Sequence, residues 1–102
     1  MNHPPTSPLR KKELLALLQA RRFAEAKTVA ETLCRAQPHD AEAWQLLGVV
    51  QGSLRESEAA ARCFRKAIEL RPELTEAHSN LAGLLEAQGR LEEAVESYRA
   101  GL

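Results

Sequence analysis

A chain of 102 residues whose 14 basic and 14 acidic side chains cancel is long enough for one domain and has no net charge with which to hold a polyanion such as bulk nucleic acid. Its composition, 44% hydrophobic but only 4% aromatic, suits helices throughout. No stretch reaches the ~18 consecutive apolar residues that cross a bilayer, so a membrane partner is not expected.

The predicted elements follow in chain order. Residues 1–6, MNHPPT, carry two prolines and no apolar periodicity and are expected to be disordered. Ser7 reads as an N-cap and Pro8 as the first residue of a helix running to about Ala20. Its apolar run Leu14–Leu18 follows Arg10, Lys11 and Lys12 but is too short for a signal peptide and closes on charged residues, so a cytoplasmic location is expected. A second helix spans about Phe23–Gln37, and Pro38-His39-Asp40 forms a turn in which Asp40 can cap a third helix, about Ala41–Gly52. Ser53 and Glu56 have capping-box spacing, which would start the fourth helix near Leu54. The spacing of the other elements instead favours a start near Ser57 and an end at Arg71. The last two helices are placed at about Thr75–Gln88, with Thr75 as N-cap, and at Leu91–Leu102. Gly89 supplies a left-handed stop between them.

These elements repeat. Trp44, Leu47 and Gln51 share one face of the third helix, and Ala60, Phe64 and Ala67 share one face of the fourth. Gly48 and Ala60 are small enough for the two axes to approach closely, and Pro72 ends the fourth helix. The series Trp44, Leu47, Gly48, Gln51, Ala60, Phe64, Pro72 resembles the 34-residue tetratricopeptide repeat, departing from it at Gln51. One period downstream stand His78, Leu81, Ala82, Leu85, Ala94, Tyr98 and Gly101; upstream stand Leu14, Leu17, Ala26, Ala30, Leu33 and Pro38, with Arg10 and Glu13 in place of Trp44 and Leu47. The repeats are therefore 7–40, 41–74 and 75–102, the third holding 28 of its 34 residues. The resemblance implies an all-α, right-handed superhelix of three helical hairpins, and the short third repeat implies the N-terminal piece of a longer protein.

No residues converge as a catalytic, cofactor or metal site would require. His3, His39 and His78 lack partners at ligand spacing, and Cys34 and Cys63 read as small apolar residues on second helices. The expected role is non-catalytic. The resemblance implies a concave groove, lined by the first helix of each repeat, that takes a protein or peptide partner. The matching positions are Lys11, Leu15 and Leu18, then Gln45, Val49 and Gly52, then Ser79, Asn80, Gly83 and Glu86, basic and apolar at one end and acidic at the other. Leu15 and Leu18 read equally well as core. The family's two-lysine carboxylate clamp is not reproduced, since only Lys11 matches it. Asn80 matches the asparagine ladder of repeats that precede sugar-nucleotide (O-GlcNAc-type) transferase domains, with Leu46 in the preceding repeat, which gives the alternative of a substrate-recruiting region of a larger enzyme. The repeats carry charges of +3, 0 and −3 in order. Val95, Tyr98 and Leu102 form an apolar face on the last helix, where a homodimer is expected, closed tail to tail in preference to an open head-to-tail stack.

Overall fold

The computed structural model describes residues 7–101, with side chains from Arg10 onward. The expectations placed on residues 1–6, on the Ser7 side chain and on Leu102 lie outside that range. Six helices follow one another: α1 (Ser7–Gln19), α2 (Phe23–Ala36), α3 (Ala41–Ser53), α4 (Ser57–Leu70), α5 (Thr75–Ala87) and α6 (Leu91–Ala100). They pair as the hairpins α1–α2, α3–α4 and α5–α6, stacked by packing of α2 on α3 and α4 on α5. Contact of α3 with α5 places the first helices in one layer. The result is an all-α solenoid measuring 49 × 25 × 18 Å.

Local chemistry sets the boundaries. Asp40 caps α3, its carboxylate accepting from the amides of Glu42 at 3.1 Å and Ala43 at 3.3 Å. At the ends of α2 and α4 the residues before Pro38 and Pro72 leave helical angles, Gln37 at φ −135° and Arg71 at φ −147°. The expected cap at Thr75 is corrected. Thr75 is the first residue of α5, its hydroxyl bonds weakly to the carbonyl of Glu73 at 3.5 Å, and Leu74 holds the cap position without a side-chain bond.

The turn after α3 resolves for the repeat spacing and against the capping box. Ser53 stays in α3 and donates to the carbonyl of Val49 at 3.1 Å, while the Glu56 carboxylate accepts twice from Lys27, at 2.9 and 3.0 Å. The chain reverses identically in each hairpin. The amides of Arg22, Glu56 and Arg90 reach back to the carbonyls of Leu17, Gln51 and Leu85 at 2.9, 2.8 and 2.9 Å. Such a closing bond requires a left-handed residue just before it. Arg21 (φ 61°), Arg55 (φ 65°) and Gly89 (φ 78°) occupy that place. Gly89 meets the expectation, and the two arginines bear a conformation that costs an L residue roughly 1–2 kcal/mol. Arg55→Gly should therefore raise stability by about 0.5–1 kcal/mol, the looser unfolded chain offsetting part of the relief. A guanidinium chloride midpoint shifted upward at constant slope is the result to look for.

Packing shows why the hairpins close. A Cβ built on Gly48 would lie 2.5 Å from the Phe64 ring, so the ring occupies the space that a side chain at 48 would need. The same two positions in the first hairpin hold Leu14 and Ala30, both fully buried in one cluster. Large and small are exchanged between the helices while the gap stays filled. Indole and imidazole also substitute for each other across repeats. Trp44 Nε1 donates to the carbonyl of Pro38 at 2.8 Å, and His78 Nε2 bonds that of Pro72 at 2.8 Å. Because a carbonyl only accepts, Nε2 of His78 carries the hydrogen. Each contact pins a first helix to the turn preceding it.

Candidate partner-binding surface

The first helices α1, α3 and α5 carry the residues expected to line a groove, and the fold treats them differently. Leu15 is 47% exposed on α1. Leu18, by contrast, packs against the first core cluster and Val49 against the second, so both are partly structural. Gln45, expected to face a partner, is corrected to a buried position, 7% exposed. Its helix is the inner member of the first-helix layer, packed by α2, α4 and α5, and a side chain there is enclosed by its own protein. Among the described residues no buried side-chain nitrogen or oxygen lacks a hydrogen-bond partner.

On α5 the surface is open. Ser79, Gly83 and Glu86 are exposed and Asn80 is half-buried. A Cβ at Gly83 would meet nothing within 4 Å, and the same is true of Gly52 on α3. Leu46, one repeat before Asn80, is buried in the first cluster, so Asn80 has no polar counterpart on α3.

The expected basic end is also corrected. Lys11 Nζ lies 2.8 Å from a carboxylate oxygen of Asp40 and 2.8 Å from one of Glu42. Partial burial pulls the Lys11 ammonium down, but the hydrogen bonds to Asp40 and Glu42 outweigh it and leave its pKa above the ordinary lysine value. This cation is committed to tying α1 to the start of α3. With Lys11 neutralised, the exposed carboxylates of Glu42, Glu76 and Glu86 set the sign of the surface. The Glu86 carboxylate accepts from the Tyr98 hydroxyl at 3.0 Å and so keeps a defined position.

A second surface was not foreseen. Where α2 meets α3, Glu31, Cys34, Arg35, Pro38, Trp44 and Leu47 line a depression of about 380 Å³. A larger one, about 520 Å³, lies 34 residues further along the chain, with Arg65, Ile68, Glu69, His78 and Leu81 in its wall. Their sequence signal was the repeat period itself, applied to second helices as well as first. Neither depression brings together reactive groups.

Cysteine chemistry is muted. Burial pushes the Cys34 thiol up to about 12 and the Cys63 thiol up to about 11, so both stay protonated at neutral pH. Cys63 Sγ donates to Gln51 Oε1 at 3.1 Å, which satisfies the one residue that departs from the repeat pattern. Among the described residues no group of three or more His, Cys, Asp or Glu is arranged to hold a metal ion, and no helix is long and apolar enough to cross a membrane.

Comparison with known proteins agrees with this geometry. A family model described as tetratricopeptide repeat matches residues 12–52 and 50–102. Among solved structures, MamA 41-end from Desulfovibrio magneticus RS-1 is 26% identical with a TM-score of 0.84, over 88% of this chain and 51% of that one. A MamA RS-1 double mutant is 25% identical at TM-score 0.85, over 90% of this chain and 52% of that one. The TPR2AB domain of yeast Sti1, in a complex with pHSP90, reaches 0.91 at 19% identity, over 97% of this chain and 38% of that one, a likeness of fold. This chain spans about half the length of the MamA chains it matches.

Proposed function

The chain belongs to the tetratricopeptide repeat family, and from that premise we propose that it is a non-catalytic, cytoplasmic scaffold that binds a peptide or helix of a partner protein along the layer of first helices α1, α3 and α5. The observation that carries this reading is the combination on one layer of an exposed leucine, Leu15, with an open, side-chain-free stretch at Gly83. An exposed apolar side chain beside such a hollow is what a partner buries. The proposed contacts are Leu15, Ser79, Asn80, Gly83 and Glu86, with Lys11, Leu18 and Val49 as supports. The acidic rim of Glu42, Glu76 and Glu86 favours a partner segment carrying Lys or Arg beside its apolar anchors. Two free, buried thiols support the cytoplasmic setting. The formal charge of zero supports a protein partner over nucleic acid.

A test uses the open space at Gly83. Gly83→Arg should fold at least as stably as the parent, since a Cβ meets nothing there and a helix interior gains roughly 0.8–1 kcal/mol on losing glycine. Its side chain would occupy the groove. Peptides selected from a displayed library on the parent protein should bind Gly83→Arg at least ~10-fold more weakly, a loss of about 1.4 kcal/mol. Equal binding by the two proteins would move the site off this face.

A further inference from the structure

Burial changes along the repeats at one place. Ala61 and Phe64 in α4 are 1% and 3% exposed, enclosed with Leu81 and Leu85 of α5. The same positions in α6 are Val95 and Tyr98, 45% and 44% exposed, and Leu91 one turn earlier is 60% exposed. Leu91, Val95 and Tyr98 fall at i, i+4 and i+7, an apolar stripe along one side of α6 with the 3-and-4 spacing of a helix-pairing seam. The opposite end of the solenoid has no such stripe. The positions that in α3 hold Trp44 and Leu47 are Arg10 and Glu13 in α1, ion-paired at 3.1 Å. That polar end gives the α6 stripe nothing apolar to stack on.

From this asymmetry and the charges flanking the stripe, we infer that α6 is a self-recognition surface. A second copy of the chain pairs its own α6 antiparallel across a two-fold axis, with Leu91, Val95 and Tyr98 forming the seam. The flanking charges select both partner and direction. Glu92 follows Leu91 and Arg99 follows Tyr98, so the two lie seven residues apart on the same flank of the seam. Among the described residues neither is held in an ion pair. Turning one helix over about the two-fold brings Glu92 of each copy against Arg99 of the other, and the symmetry makes the pair twice. Parallel pairing would leave each charge against a small residue, Ala94 or Gly101, on the other flank. The head-to-tail stack suggested by the charge gradient needs the Arg10–Glu13 end to cover apolar surface and is disfavoured. The area is small, so the dimer is weak, forming between roughly 10 µM and 1 mM.

Sedimentation of the whole chain over that range tests the inference. The expected mass rises from one copy to two and stops. Glu92→Arg and Arg99→Glu, each leaving like charges opposed in both pairs, should weaken the dimer roughly 10-fold. An equimolar mixture of these two variants should regain it, because one copy of each then sets opposite charges against each other in both pairs. Val95→Asp should remain monomeric with an unchanged helical circular dichroism spectrum. A parent chain that is monomeric at ~1 mM, where an association of −4 kcal/mol would be visible, overturns the proposal. So does a mass that grows past two copies, or a mixture of the charge variants no better than either alone.

Discussion

Phe64→Ala should remove about 3–5 kcal/mol of stability, the range for truncating a buried phenylalanine. The ring is buried in the second cluster between α3 and α5, beside Leu81 and Leu85. Its edge fills the notch left by the missing side chain of Gly48. Truncation therefore empties the joint within the middle hairpin and the joint to the next one together. A domain of this size has only about 5–15 kcal/mol in total, so the variant should sit close to its unfolding threshold. Urea titration followed both by helical ellipticity and by the fluorescence of Trp44, the single tryptophan, measures the loss and tests whether the hairpins unfold together. A loss below ~1 kcal/mol would mean that the pocket is not closely packed.

Gly48→Leu should be comparably severe. Its first side-chain carbon alone would stand 2.5 Å from the Phe64 ring, closer than two carbons can approach, and the rest of the side chain extends further into occupied space. Overpacking of this kind costs about 1–3 kcal/mol and more where the neighbour cannot move. Phe64 is enclosed and cannot yield. The first hairpin shows the remedy, because Leu14 and Ala30 solve the same joint with the sizes exchanged. Combining Gly48→Leu with Phe64→Ala should recover at least ~1–2 kcal/mol relative to the sum of the single losses, within the coupling range of residues in direct contact. Additive losses would show that the two positions do not share one volume. The comparison separates loss of volume from loss of fit, which neither single variant does.

Both expectations rest on residues whose meaning was legible in the chain. Trp44, Gly48, Phe64 and Pro72, with their copies 34 residues away, located all six helices. Helix boundaries fell within one or two residues because prolines, Asp40 and Gly89 act through covalent geometry and nearest neighbours. The candidate surface was legible only in part. The period that marks a side chain as lying off the packing face of its own hairpin says nothing about what the adjoining hairpins lay over it. Hence Leu15 and Glu86 are exposed as expected, while Gln45, at the equivalent place on the inner helix, is enclosed.

What the sequence determined by itself was the repeat, the helices and the small-against-large joints within each hairpin, since all of these depend on residues within one 34-residue period. Only the tertiary structure decided which surfaces remain available and with what charge. Lys11 is neutralised by Asp40 and Glu42, about thirty residues away, because stacking brings the start of α3 beside α1. Val49 and Leu18 sink into the core where a neighbouring hairpin covers them, and Val95 and Tyr98 stand exposed because none of the described residues covers α6 there. The difference is one of range. Helix formation and hairpin fit are fixed by local spacing, whereas exposure and pairing of charges depend on how whole hairpins lie against one another.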